Sequence, residues 1–315
     1  MKNKKIGLVL FSTLIIMVFS NCSKVENDNW LKEDPKIRYS EKRENEVWGK
    51  TLNGHSPEIF YGTPLYDLAK EMTCFYWFRS DKKIEELIMD LPQNYINHQD
   101  AKLGLTIGHF ALIVSDLKAV RLLLDRGLNP NLMDKSGNAI IIDINSPFIS
   151  RLPEGLETLQ YMIKKGADVN LYSLNAQLHT PLIEAANSNF QNVKLLIAAG
   201  ANPHFIDKSF ASPFESPLSA ALVNRRMEIT NYLIFEQKVD FRTIKNPARS
   251  KFHPGDYVIL YRLRELNFDL NTKDYKQKMK LVAYLKTQGL DYWKIPIPEN
   301  ISSNPDFTKE YLSRY

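Results

Sequence analysis

The stretch His179–His204 reads HTPLIEAANSNFQNVKLLIAAGANPH, and it decides how the rest of the chain is interpreted. Thr180 can cap the amino terminus of a helix, and Pro181 suits the first helical turn that follows. Within the later octet Val193–Gly200, apolar residues at the first, fourth and fifth positions share one helical face. The closing glycine adopts the left-handed backbone of a helix C-cap more easily than other residues do. The stretch therefore predicts two short helices in succession.

The octet recurs along the chain, and its copies end 34, 39, 34, 37 and 52 residues apart. The shortest steps lie close to a period of about 33 residues, and the longer ones imply insertions. The six copies are Glu86–Gln93, Val120–Gly127, Leu159–Gly166, Val193–Gly200, Thr230–Gln237 and Val282–Gly289. Because Gln93 and Gln237 replace the closing glycine, we expect those two helices to end less tidily.

A second motif precedes most octets, with Thr or Ser at a capping position and small residues shortly afterwards. Its copies begin at Thr63, Thr106, Thr180 and Ser216, and a degraded copy follows Gly137. Alanines follow at 69, 111, 185–186 and 220–221, where small side chains let neighbouring helices approach closely.

The two motifs resemble the ankyrin repeat, with its TPLHxAA opening and its LLLxxGADVN close. The resemblance extends over roughly Gly62 to Trp293. It implies an all-α ankyrin-repeat solenoid of about five to six helix-turn-helix units, with β-finger connectors and degenerate end caps. We assign residues 57–293 to this domain and residues 294–315 to a tail, which either straps the last repeat or is partly disordered. Insertions are expected at Asn145–Glu154, Lys245–Asp256 and Asn267–Asp274.

The amino terminus has the pattern of an export signal. Three lysines precede the apolar run Ile6–Phe19, whose 14 residues are fewer than the roughly 20 that span a membrane. Cys22 then resembles the acylated cysteine of bacterial lipoproteins, although Phe19 and Asn21 depart from that pattern. The alternative is an ordinary signal peptide that a cysteine happens to follow. The predicted segments are a signal peptide over residues 1–21 and a lipid-anchored polar tether over residues 22–56.

No arrangement of residues predicts catalysis, a metal site or a cofactor. The six histidines form no HExxH or similar close pair, and P-loop, GxSxG and GxGxxG motifs are absent from the sequence. His109 falls at the histidine of the ankyrin opening, where a structural hydrogen bond is expected. Cys74 is interpreted as a buried thiol rather than a nucleophile. We therefore expect a protein that is not an enzyme.

Charge separates the carboxyl-terminal part from the rest. The chain has a formal charge of +5, and three of its lysines lie in the predicted signal peptide. This balance excludes a nucleic-acid binder on charge alone. From Arg242 onward there are 14 basic and 8 acidic residues. Either this is a solvated basic face, or it docks an acidic partner or lipid headgroups. The lysines at 273, 276, 278, 280 and 286 have the spacing of an ordinary amphipathic helix.

The connectors between repeats are where we expect partner contacts. Aromatic and basic residues in otherwise polar connectors can anchor an interface, although each ring could equally pack beneath its connector. The candidate partner-binding residues are Tyr172, Phe205, Lys208, Phe210, Phe214, Arg249, Lys251 and Phe252.

The resemblance also implies a function. Lipid-anchored periplasmic ankyrin proteins resemble immunity proteins that neutralise phospholipase effectors of type VI secretion systems. We accordingly expect an outer-membrane-anchored periplasmic protein whose partner is a secreted toxin encoded nearby. The alternatives are an envelope scaffold or stress-protection adaptor and, in another class, an enzyme or lipid-handling protein hidden in the insertions.

Overall fold

The computed structural model describes residues 52–74, 78–174, 179–207, 216–243 and 258–315. The predicted signal peptide, Cys22 and nearly all of the predicted tether lie outside these ranges. The chain divides into two compact units, Met1–Lys135 and Ser136–Tyr315. Within the described ranges the regular structure consists of fourteen α-helices and five 3-10 turns, with no β-strand.

The first unit contains two pairs of helices. They are α1 (Leu65–Met72), α2 (Asp81–Asp90), α3 (Ile107–Ile113) and α4 (Leu117–Asp125), with 3-10 turns at Pro57–Phe60 and Gln93–Tyr95. Polar side chains start three of them: Ser80, Thr106 and Asp116 accept hydrogen bonds from the backbone N–H groups of the first turn. α2 ends earlier than the octet predicts because Pro92 follows. Helical backbone is disfavoured for the residue that precedes a proline.

The second unit contains four pairs and a helical tail. Its helices are α5 (Ile140–Asp143), α6 (Gly155–Lys164), α7 (Pro181–Ala186), α8 (Phe190–Ala198), α9 (Pro217–Val223), α10 (Met227–Phe235), α11 (Val258–Glu265), α12 (Lys273–Thr287), α13 (Glu299–Ser302) and α14 (Lys309–Arg314). Its 3-10 turns are Ile149–Arg151, Phe241–Thr243 and Tyr292–Lys294. No helix in the described part of the chain has both the length and the apolar character needed to cross a membrane.

Helices of the same kind stack on each other within each unit. In the first unit α1 packs on α3 and α2 on α4. In the second, the first helices of the pairs pack in the order α5, α7, α9, α11, and the second helices in the order α6, α8, α10, α12. The predicted alanines Ala185, Ala186, Ala220 and Ala221 are fully buried between first helices, where they permit close approach. The predicted all-α fold class, ankyrin-like helical stacking, is confirmed.

The closing glycines end their helices as predicted. Gly127, Gly166, Gly200 and Gly289 all have positive φ, between 82° and 95°. The two copies that lack glycine differ in the expected direction. α2 has no left-handed residue at its end, and after α10 the left-handed residue is Lys238, at φ 56°, one position later than the glycines.

Where the structure describes them, the connectors form turns and no strand, although β-fingers were predicted. In the first unit, a buried carboxylate helps to order such a turn: Asp100 accepts hydrogen bonds from the backbone N–H groups of Lys102, Leu103 and Leu105, at 2.6–2.8 Å. Its own backbone N–H donates to the carbonyl of Leu105 at 2.9 Å, so side-chain and backbone bonds together satisfy the turn.

The insertion Asn145–Glu154 packs onto the next helix pair. The Nδ2 atom of Asn192, on α8, donates to the Oδ1 atom of Asn145 at 3.0 Å, and both amides are fully buried. Asn189, the N-cap of α8, donates from Nδ2 to the backbone carbonyl of Ser150 at 2.7 Å. The insertion therefore contributes to repeat stacking.

Candidate protein-binding surface

Two asparagine side chains each join their own connector to the connector one repeat later in the chain. In the second unit the Asn170 side chain donates to the carbonyl of Gly200 at 3.0 Å and accepts from the backbone N–H of Asn202 at 2.8 Å. Asn97 makes the same two bonds in the first unit, to the carbonyl of Gly127 and the N–H of Asn129. Each asparagine thus fixes its connector against the following helix end.

The predicted residues Tyr172 and Phe205 lie side by side on two such connectors. Their ring centroids are 5.5 Å apart and their planes are inclined by 54°. The buried carboxylate of Asp207 lies near the Tyr172 hydroxyl. Burial, and then the negative charge of Asp207, raise the pKa of the Tyr172 hydroxyl, so it remains a neutral donor. Both rings are half-buried, and each therefore offers a partly accessible face.

Leu174 is a surface residue that the sequence interpretation missed. Its side chain is 73% exposed, the highest value among the large apolar side chains described. The backbone beneath it is held in place, because the Leu174 N–H and the Ser173 hydroxyl both donate to the carbonyl of Gly137, at 3.1 and 2.8 Å. The sequence did offer a signal for this surface residue, because Leu174 is an apolar residue in a connector. Leu174 is an exposed side chain on an ordered backbone, which suits an interface anchor.

The remaining predicted partner-binding residues lie outside the described ranges. They are Lys208, Phe210, Phe214, Arg249, Lys251 and Phe252. Their role stays a prediction, as does the role of Cys22. The described candidate surface, called the connector surface below, consists of Tyr172, Leu174 and Phe205.

Two cations are buried in the last helix pair, where the sequence suggested a solvated basic face. Lys278, on α12, is 0% exposed, and its Nζ atom donates to the carbonyl of Leu266 at 3.0 Å. Arg264, on α11, donates from Nε to the carbonyl of Ile295 at 3.0 Å. The solvated interpretation is wrong for Lys278, because helical spacing groups it with the buried residues 281, 282 and 285.

Tyrosine rings surround these cations. The Nζ atom of Lys278 lies 4.0 Å from the ring centroid of Tyr315 and 5.1 Å from that of Tyr292. The Arg264 guanidinium lies 4.4 Å from the Tyr292 ring and donates to the Tyr315 carbonyl. Burial, followed by the positive charges of Arg264 and Arg225, lowers the pKa of Lys278 to about 7. Burial also raises the pKa of Tyr292 to about 12, so this ring remains neutral.

Side chains suited to chemistry are used structurally. The Nδ1 atom of His109 accepts a hydrogen bond from the backbone N–H of Thr106 at 3.1 Å, which completes the cap of α3. His179 pairs with Glu184 at 2.9 Å. Cys74 is half-buried in the turn that follows α1. Across the described residues, no group of three or more His, Cys, Asp or Glu side chains is placed to hold a metal ion.

Comparison with known families identifies one segment. The family model of the ankyrin repeat matches residues 177–208, which contain α7, α8 and the connector residue Phe205. No curated protein matches the chain. The match supports the ankyrin resemblance, and because ankyrin repeats mediate binding to protein partners, it suggests a role in protein–protein interaction.

Proposed function

We propose that this chain is a non-catalytic binding protein that contacts a protein partner through the connector surface. The observation that carries the proposal is the exposed Leu174, two residues after Tyr172, whose ring packs against that of Phe205 on the next connector. Hot spots are enriched in Trp, Tyr and Arg, so Tyr172 is the expected anchor, and Leu174 adds exposed apolar area to the same connector. A specific interface buries about 800 Å² per partner, and three or four adjacent connectors and first helices can supply that area.

More narrowly, we propose that the partner is a secreted antibacterial toxin of the phospholipase type, encoded nearby, and that binding covers the enzyme. The support is the combination of ankyrin motifs with a signal-like amino terminus that ends at Cys22. The protein would act in the periplasm, anchored to the outer membrane through lipid on Cys22. The alternative partner is another envelope protein, for which the chain would serve as a scaffold or stress-protection adaptor.

The test of the interface is co-purification of the tagged protein with the neighbouring gene product. The triple variant Tyr172→Ser, Leu174→Ser, Phe205→Ser is expected to weaken binding by at least about 100-fold while circular dichroism stays helical. Phe148→Ser is the matched control, because it removes an exposed ring from the insertion. Equal loss of binding in the control would argue against the connector surface.

The toxin and the anchor need separate measurements. Cells that lack the protein should become sensitive to sibling attack, and expression of the protein should restore survival. Normal survival, together with binding to an envelope protein, would favour the scaffold. Cys22→Ala should abolish labelling by a fatty-acid analogue and release the protein from membranes, whereas unchanged labelling would refute lipidation.

A further inference from the structure

A small pocket opens on α12, the second helix of the last pair. It shares no residue with the connector surface. It has a volume of about 190 Å³. Its lining residues are Met279, Val282, Ala283, Lys286, Asp291, Tyr292 and Trp293. The four from α12 follow the spacing of one helical stripe, and Trp293 is 45% exposed at the rim.

The pocket lies on the side of α12 that faces away from α10. The opposite side holds the contacts with α10: the Phe235 and Tyr284 rings are 5.1 Å apart, and the Lys280 Nζ atom lies 4.9 Å from the Phe235 ring. Since second helices pack in the order α6, α8, α10, α12, the pocket occupies the side on which another helix would continue the stack.

The tail contacts the first half of α12. The Tyr275 hydroxyl donates to the carbonyl of Arg314 at 2.8 Å, and the Tyr315 ring lies against Lys278. These contacts involve the amino-terminal half of α12. In the stripe that follows, Ala283 and Lys286 are exposed and Met279 is half-buried, whereas Val282 is buried in the pocket lining.

One lysine, Lys286, lines the pocket, and two more lie close in sequence to lining residues, Lys276 before Met279 and Lys294 after Trp293. Lys276, Lys286 and Lys294 are exposed, and none of the ion pairs found among the described residues includes them. The one carboxylate in the lining, Asp291, accepts from the backbone N–H of Trp293 at 3.0 Å and caps the 3-10 turn. A partner segment at this site therefore meets an apolar floor with positive charge around it.

We propose that this pocket seats one large apolar side chain of an acidic amphipathic helix from a protein partner. An apolar cavity of about 150 Å³ holds a benzene molecule, whereas ligand sites of drug size have about 300–1,000 Å³. The pocket thus suits one ring or branched side chain. The partner is a helix because an amphipathic helix can pack along the apolar stripe on α12. It is acidic because the three lysines attract negative charge.

A protein helix fits the pocket better than an anionic lipid surface does. The site is concave, and a bilayer presents no protruding side chain to fill it. Trp293 does not stand out as a membrane anchor, because its ring packs edge-on against Tyr292 with centroids 5.2 Å apart. The proposal goes beyond the connector surface and does not depend on it.

The experiment measures binding of labelled synthetic helices to the full chain by fluorescence anisotropy. The probe is a peptide of about 16 residues, more than four helical turns, with leucines spaced by three and four and glutamates on both flanks. A second peptide carries lysine in place of glutamate, and a third carries alanine in place of the central leucine. The protein variants are Ala283→Trp, which fills the pocket, and Lys286→Glu, which reverses its charge. Lys309→Glu on α14 is the charge control.

The acidic peptide should bind more tightly than the other two, and Ala283→Trp should weaken it by about tenfold or more. Lys286→Glu should weaken the acidic peptide and strengthen the basic one, and Lys309→Glu should do neither. The connector triple variant should bind the acidic peptide normally, which separates this test from that of the proposed function. No binding at about 1 mM peptide, or equal binding by Ala283→Trp, overturns the proposal. Binding only to phosphatidylglycerol vesicles, unchanged in Ala283→Trp, also overturns it and assigns the basic face to lipid headgroups.

Discussion

The helix pairs α7/α8 and α11/α12 occupy the same kind of position in the second unit but are stabilised in different ways. In α7/α8 no cation is buried, and Leu182, Val193 and Leu196 are almost completely buried. In α11/α12, Arg264 and Lys278 take places that apolar residues would otherwise fill. The stacking geometry therefore tolerates buried cations where tyrosine rings and backbone carbonyls surround them.

The difference has a thermodynamic consequence. Apolar burial contributes a stabilisation that does not vary with pH, whereas a buried ammonium makes stability depend on its protonation. The two pairs should respond differently to substitution and to pH. Two substitutions, each with a control on the same helix, test this contrast, and a third tests the connectors.

The largest effect is expected in α7/α8. Leu196→Ala removes a side chain that is 0% exposed and leaves a cavity, so it should lower the free energy of unfolding by about 2–5 kcal/mol. Leu195→Ala is the matched control: this neighbour is half-buried, and its loss should be clearly smaller. Urea titration measures both. Equal losses would show that the helix is rotated from the orientation described.

The second effect has the opposite sign. Lys278→Met replaces a buried ammonium by an apolar side chain of similar length. It should raise the free energy of unfolding near pH 7 by about 1–4 kcal/mol. Loss of the hydrogen bond to Leu266 reduces that gain. Lys276→Met, on the exposed side of the same helix, should change it by less than about 0.5 kcal/mol.

The pH dependence of that difference checks its cause. The pKa of Lys278 falls from 10.5 to about 7 on folding, so between these values the unfolded chain binds a proton that the folded chain does not. Stability of the wild type should therefore rise from about pH 7 to about pH 10.5, and the burial penalty is complete below pH 7. The advantage of Lys278→Met should shrink over that range. A constant advantage would rule out protonation as its source.

The smallest effect concerns the connectors. Asn170→Ala removes two inter-repeat hydrogen bonds at an exposed position, so about 0.5–1.5 kcal/mol should be lost. His204 is the equivalent residue one repeat later, and its exposed side chain makes His204→Ala a suitable control, with a change below about 0.5 kcal/mol. Similar losses in both variants would contradict the bridging role of Asn170.

Local signals in the sequence predicted the helices well. Thr180 and Ser216 cap their helices as expected, and Gly200 ends α8 with a left-handed residue. These features depend on a few neighbouring residues, so one sequence is enough to find them. The connectors were harder, because side chains such as Asp100 help to satisfy the backbone there.

The candidate site was predictable only in part. Tyr172 and Phe205 were proposed separately, yet they are 33 residues apart, which is one repeat period, and that spacing could have predicted their contact. The burial of Lys278 was concealed by the exposed lysines around it. Its burial depends on which face of α12 meets the rest of the unit, and that is settled by tertiary packing rather than by composition.

Because of the bridging asparagines, hydrogen exchange at two backbone amides can indicate how often neighbouring repeats separate. The N–H groups of Asn129 and Asn202 lie in exposed connectors, where rapid hydrogen–deuterium exchange would be expected, but each donates to the side chain of an asparagine in the preceding repeat. They can exchange only when that neighbour moves away. Their protection factors therefore measure how often adjacent repeats part, in the first unit through Asn129 and in the second through Asn202.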